Sequence, residues 1–275
     1  MAKVRLDKLL VDRSLAPTRT QAASLIMAGE VYVGEAKASK AGELVPEEAD
    51  VSVRRGMEFV SRGGYKLKKA LDVFDVDLSG AVCLDCGAST GGFTDCMLQR
   101  GAARVYAVDV GYGQLAYKLR TDERVVTLEK TNVRSLTREQ VPENVDFASA
   151  DLAFISLKLV LPVIFDFLKS GARAVCLIKP QFEAGREKVG KKGVVRDPAV
   201  HREVISDIVS AAGGFGFSVL GLDFSPIKGP EGNIEYLLLR GKDVPGTVIA
   251  DSDAGVSGSH GELGQNKSNE RSVQP

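Results

Sequence analysis

The 275-residue chain has no tryptophan, two histidines and four cysteines, and it carries no net charge. Each shortage removes a class of function. Cys83 and Cys86 form a C-x-x-C, but a zinc site needs two more ligands and the chain has only His201 and His260 to offer. The cysteines are therefore expected as small apolar packing residues, with no metal. The opening MAKVRLDKLL is charged through its first eight residues and has no apolar core, which does not fit a secretory signal. No apolar run approaches the ~18 residues that span a bilayer. The expectation is a cytoplasmic protein with no membrane partner, and no oligomeric state is implied.

Lys plus Arg balance Asp plus Glu at 36 each, so net charge decides nothing about an anionic partner. Its distribution says more. Residues 1–70 hold 13 Lys/Arg against 9 Asp/Glu, with several of the cations between Arg54 and Lys69. That bias is compatible with nucleic acid. With 44% hydrophobic and 26% charged residues, the chain can build one mid-sized domain and a smaller one.

Residues 1–60 read as a small α-plus-strand module. Leu6, Leu9 and Leu10 mark one helical face, and Thr18-x-x-Gln21 resembles a capping box opening a second helix that stops at Gly29. VYVG, ELV and DVSV follow as short strands between polar turns. From Val82 the pattern alternates. Strands are expected at 81–86, 104–110, 124–129, 145–151, 173–178, 217–224 and 234–240, with helices at Leu157–Lys169 and Ala199–Ala212 among those between them. Near-continuous apolar strands alternating with helices predict an α/β fold, a mostly parallel seven-stranded sheet covered on both faces. The last two strands have only a short polar connection, which predicts an antiparallel hairpin at the sheet edge. A second domain is thus expected over 61–245, and a Gly/Ser/Asp/Asn-rich tail over 246–275 is expected to be disordered.

The first strand of the second domain ends LDCGASTGGFTD, a glycine-rich turn leading into a helix where α/β folds bind nucleotides. Gly87-Ala88-Ser89-Thr90-Gly91-Gly92 does not fit the dinucleotide G-x-G-x-x-G. Asp85, one residue before the turn, would repel a pyrophosphate but suits an ammonium. Asp109 closes the second strand, where ribose hydroxyls are held. This pairing suits S-adenosylmethionine, whose amino-acid part is zwitterionic. Phe93, Asn132 and Asp151 are counted with the same cofactor set.

The fourth strand ends ASADLAFISL, placing Asp151-Leu152-Ala153-Phe154 at the substrate-facing position. No proline stands there, as it does in methyltransferases of exocyclic base amines. Cys176, the one cysteine near the right strand, lies three residues inside an apolar run, away from the place of a C5-pyrimidine nucleophile. What remains is a ribose hydroxyl. Lys179, at the end of RAVCLI and followed by Pro180, can help the proton leave if its environment permits. Pro180 biases Lys179 toward extended backbone, aiming it off the strand end. Lys66 is a candidate second cation and Glu235 a candidate second carboxylate. The sequence leaves open whether Lys179 is the base itself or an electrostatic partner of Lys66.

SRGGYKL, LDCGASTGGFTD, DVGYGQL, DLAFISL, LIKPQFE, GVVRDP and GNIEYLLL occur in order, and together they resemble the TlyA family, also called hemolysin A. The resemblance covers roughly residues 3–241. It implies a Rossmann-like domain similar to the FtsJ ribose 2′-O-methyltransferases, behind an N-terminal domain similar to S4 RNA-binding domains. It places a Lys-Asp-Lys-Glu tetrad on Lys66, Asp151, Lys179 and Glu235, and implies cytidine 2′-O-methylation of ribosomal RNA. An S4-like module makes Arg5, Lys8, Arg13, Arg19, Arg54 and Arg55 candidate phosphate contacts. Two departures stand out. Ala153 replaces the serine of the family's DLSFISL, and Met57-Glu58-Phe59-Val60 replaces an R-x-W-V linker, so coupling through that motif does not carry over. A pore-forming hemolysin would need a membrane-inserting segment, which the sequence lacks. A non-catalytic ribosome-assembly factor would show a broken tetrad or glycine loop, and both are intact.

Overall fold

The structure, a computed structural model, describes residues 3–53, 56–246, 256 and 259. Arg54 and Arg55 lie outside the described residues, as does most of the tail for which disorder was expected. The chain divides into two compact units, Met1–Glu58 and Phe59–Pro275.

The first unit runs β1 (Lys3–Arg5), α1 (Leu6–Asp12), α2 (Arg19–Met27), β2 (Val31–Val33), β3 (Ala36–Lys37), β4 (Leu44–Pro46) and β5 (Val51–Val53). β1 pairs with β4, and β2 stands between β3 and β5, all antiparallel. Leu6, Leu9 and Leu10 are buried in one cluster with Ala22 and Ile26 of α2 and Val31 of β2. The Thr18 hydroxyl accepts the Gln21 N–H at 3.2 Å, capping α2. The chain leaves that helix through Gly29 in the left-handed region, at φ +71°.

The second unit runs α3 (Gly63–Val73), β6 (Val82–Cys86), α4 (Gly92–Gln99), β7 (Arg104–Val108), α5 (Tyr117–Arg120), β8 (Val125–Leu128), β9 (Val145–Ala150), α6 (Leu161–Phe167), β10 (Leu168–Ile178), α7 (Pro180–Glu183), α8 (Pro198–Gly214), β11 (Phe217–Phe224) and β12 (Tyr236–Lys242). Among the described residues its sheet has seven strands in the order β11-β12-β10-β9-β6-β7-β8. β12 is antiparallel to both neighbours, forming the expected hairpin with β11.

Strand alternation sorts the core into two layers. Leu84, Cys86, Val108, Ala150, Cys176 and Leu238 share one cluster with residues of α6 and α8. Cys83, Val105, Phe147, Val175, Leu177 and Leu239 share the other with α3 and α4. The helix expected over Leu157–Lys169 is shorter. A 3-10 turn at Leu157–Leu159 precedes α6, and Lys169 already belongs to β10, because Leu168 pairs with Val145 of β9. All four cysteines are buried, and none forms a disulfide among the described residues.

Candidate active site

The chain reverses direction across the sheet at β6, which lies between β7 on one side and β9 on the other. Loops leaving such a switch point diverge and open a crevice above the carboxyl ends of the strands. Here the loops after β6 and β9 touch at Gly87. Its φ is +88°, and a Cβ there would stand 2.6 Å from the Asp151 carbonyl oxygen. Only glycine allows that approach. Asp109, just past β7, accepts backbone N–H groups from Ser89 (2.8 Å) and Gly111 (2.6 Å), fastening the glycine loop to the next strand.

Two cavities flank this junction. The larger, about 760 Å³, is lined by Gly87, Ser89, Asp109, Asn132, Asp151 and Leu152 among others. The smaller, about 440 Å³, is lined by Lys66, Ala88, Thr90, Gly92, Phe93, Lys179 and Glu235, and shares Gly87, Ser89, Asp151 and Ala153 with the first. The loop residues expected at a cofactor thus divide between two neighbouring spaces. Gly91 borders neither, since a Cβ there would meet the side chains of Leu115 and Leu119.

Asp85 departs from expectation. Alternation along β6 turns it toward α4, where it is fully buried and accepts the hydroxyls of Thr94 (2.6 Å) and Ser149 (3.0 Å). It lines neither cavity, so in this geometry it braces the loop instead of meeting an ammonium. Burial pushes its carboxyl up to about 6. An acid raised above its unfolded value contributes most stability at low pH and loses it as pH rises through the folded value. Asp85→Asn, which still offers an acceptor, should flatten the stability profile between pH 4 and 7. At pH 7 the variant should be more stable, by up to about 3 kcal/mol, and urea unfolding at several pH values checks both.

Lys66 from α3, Asp151 after β9, Lys179 at the end of β10 and Glu235 before β12 meet in one cluster. Lys66 Nζ lies 2.6 Å from Glu235 Oε2 and 3.3 Å from Asp151 Oδ2, and Lys179 Nζ lies 2.5 Å from Asp151 Oδ1. Side-chain exposure is 10% for Lys66, 11% for Lys179, 17% for Asp151 and 0% for Glu235, and the four formal charges cancel. Burial alone would lower the Lys66 ammonium, but Asp151 and Glu235 outweigh it and hold it above its ordinary value. Burial alone would raise Asp151, and Lys179 followed by Lys66 holds it below the usual carboxylate range instead. Lys179 is extended (φ −115°, ψ 98°) and Pro180 opens α7 behind it, so the proline sets the lysine's direction. Tight packing of helix N-termini sets Lys66: a Cβ on Gly92 would stand 2.4 Å from Ser61 Oγ and 2.8 Å from Gly64 N.

The sequence placed Phe154 at the substrate-facing position but not its exposed, left-handed setting, and it singled out nothing at Glu183. Phe154 is 91% exposed with φ +62°, and its ring centroid lies 5.0 Å from that of Phe182. Glu183 accepts the Ser156 hydroxyl at 2.6 Å and the Leu157 N–H at 2.8 Å, tying α7 to the loop that carries Phe154. Burial pushes its carboxyl up. Both sit in loops or a single short turn, where hydrophobic periodicity says nothing.

In the first unit, Arg5 and Arg19 converge on Asp7. Lys8 is exposed. Arg13 instead donates to the carbonyls of Ala49 (2.7 Å) and Glu47 (2.6 Å), bracing the β4–β5 turn. Among the described residues no helix is long and apolar enough to cross a membrane, and no group of His, Cys, Asp or Glu could hold a metal ion.

The family model of the FtsJ-like methyltransferases matches residues 59–242, and that of the S4 domain residues 4–51. A Mycobacterium tuberculosis protein named 16S/23S rRNA (cytidine-2′-O)-methyltransferase TlyA is 47% identical over 238 residues, 86% of this chain and 89% of its own length. This chain belongs to the TlyA family. Another relative, named Hemolysin A, from Brachyspira hyodysenteriae, is 40% identical over 235 residues, covering 85% of this chain and 98% of that one. A solved structure from Streptococcus thermophilus, provisionally titled a hemolysin, superposes with a TM-score of 0.75 at 43% identity over 98% of this chain and 99% of that one. The chain is thus an FtsJ-like methyltransferase with a Rossmann-like fold and an S4 domain.

Proposed function

We propose that this TlyA-family chain transfers a methyl group from S-adenosylmethionine to the 2′-oxygen of a cytidine in ribosomal RNA. The observation that carries the reading is the charge cluster Lys66–Asp151–Lys179–Glu235 in a cavity that shares Asp151 with the larger one. The names of the relatives support the acceptor. A ribosomal substrate implies action in the cytoplasm.

The larger cavity fits the cofactor. Its volume of about 760 Å³ falls within the range of small-molecule sites, and Gly87, where the loops after β6 and β9 touch, forms part of its wall. Asp109 would hold ribose hydroxyls, since each carboxylate oxygen retains a further lone pair beside the amide it already accepts. Ser89 and Asn132 would line the same ligand. When bound, S-adenosylmethionine supplies an electrophilic methyl group on a sulfonium. Asp109→Ala should weaken cofactor affinity roughly 10–100-fold, the loss of one or two charge-assisted hydrogen bonds; calorimetry checks it, and unchanged affinity refutes the assignment.

The protein's own residues handle the proton. Lys66 contacts two carboxylates and stays an ammonium, a fixed positive charge beside the reacting oxygen. Lys179 contacts only one and stands on the wall of the acceptor cavity, so it is the group positioned to assist departure of the 2′-hydroxyl proton. Asp151 and Glu235 keep both lysines in register. The exposed ring of Phe154 offers a stacking face to a base swung out of its helix, and residues 1–60 would bind the RNA around it.

Labelled methyl transfer to separated ribosomal subunits, followed by alkaline hydrolysis, tests the reading. An alkali-resistant labelled dinucleotide is expected. Label on a base, or none in either subunit, overturns it.

A further inference from the structure

Asp7 is a carboxylate in a domain whose partner is polyanionic, and it is buried at 4% exposure. A net-charge view of RNA binding makes it a liability. Its contacts say otherwise. Arg5 grips it as a fork, Nε to Oδ1 at 3.0 Å and Nη2 to Oδ2 at 2.8 Å. Arg19, which opens α2, donates from Nη2 to the same Oδ2 at 2.9 Å. Asp7 is only 6% exposed as a side chain, whereas Arg5 and Arg19 remain 49% and 58% exposed. A buried anion therefore gathers two guanidinium groups from different elements and leaves their outer faces in solvent.

The backbone makes room for one of them. An added Cβ on Gly42 would stand 3.1 Å from Arg5 Nη1 and 3.4 Å from Arg5 Cζ, so the guanidinium lies against this glycine. Each guanidinium has five N–H donors in a fixed plane. Asp7 takes two from Arg5 and one from Arg19. The remaining donors are directed by the ones already engaged, and an unpaired arginine side chain would lose that ordering in solution.

We infer that Asp7, Arg5 and Arg19 form one preformed site for a backbone phosphate of RNA, in which Asp7 is the positioning residue. The inference rests on the RNA reading above. It makes a prediction opposite in sign to simple electrostatics. Removing a carboxylate normally strengthens RNA binding, because the protein becomes more positive. Here Asp7→Asn should weaken it, since the two arginines lose their common anchor.

The test is binding of the full chain to deproteinised ribosomal RNA at several salt concentrations, alongside methyl transfer. Asp7→Asn should bind about 5–20-fold more weakly than the native chain, and log K against log salt should lose roughly one phosphate contact from its slope. KM for the RNA should rise, with kcat at saturating RNA and cofactor affinity unchanged. Gly42→Ala keeps every charge and only displaces Arg5; a smaller loss of about 2–5-fold is expected. It also decides the matter should Asp7→Asn unfold the unit. Arg5→Gln should add little to Asp7→Asn, because groups acting as one site are not additive. Native-like or tighter binding by both Asp7→Asn and Gly42→Ala overturns this site alone. Failure of the native chain to bind ribosomal RNA removes the RNA reading together with it.

Discussion

Lys179→Ala should reduce methyl transfer to ribosomal RNA by about 10³-fold or more while leaving S-adenosylmethionine affinity within about twofold. The magnitude is that of a positioned proton acceptor, and the separation of effects follows from where the side chain stands. Lys179 lines the smaller cavity and not the larger one. Its loss leaves Asp151 paired with Lys66, so no buried carboxylate is stranded. Single-turnover transfer and calorimetry on the same preparation check both halves. Turnover near the native rate would remove Lys179 from the chemistry.

Asp151→Ala should be the costlier change for the protein as a whole. Among the described residues Asp151 is the one carboxylate that touches both lysines, and it lines both cavities. Without it, Lys179 loses its carboxylate partner and Lys66 keeps Glu235 alone. Breaking a buried ion pair by deleting one partner typically costs 3–5 kcal/mol. For a unit of this size a loss of about 3 kcal/mol lowers the melting temperature by about 6–12 °C. Activity and cofactor binding should fall together, in contrast to Lys179→Ala. Differential scanning calorimetry and transfer assays measure this, and a variant that melts like the native chain would show that Asp151 is not the hub of the cluster.

The two variants separate what was legible along the chain from what was not. Lys179 announces itself, because a charge at the end of an apolar strand with proline behind it violates local pattern. Asp151 and Asp109 are equally readable as acids at strand ends. Asp85 carries the same signature, yet its carboxylate turns to Thr94 and Ser149. A strand's two faces look alike in a string of residues until it is known which helix covers each. The exposed setting of Phe154 and the anchoring contacts of Glu183 were silent for a different reason. Their geometry comes from a left-handed backbone residue and from a contact across 26 to 27 positions, not from periodicity.

By itself the sequence determined the succession of strands and helices, the glycine turn after β6, the antiparallel hairpin and the family. The first three depend on neighbours within a few residues, where spacing and side-chain type decide, and the family on short motifs read in order along the chain. Only the tertiary structure decided that Lys66 and Glu235, 169 positions apart, lie 2.6 Å from one another. It also decided that Lys66 holds two carboxylates where Lys179 holds one, and that Asp7 joins Arg5 to Arg19. Ion pairs of this kind form when packing brings distant segments together and excludes water between them, and no local pattern records that approach.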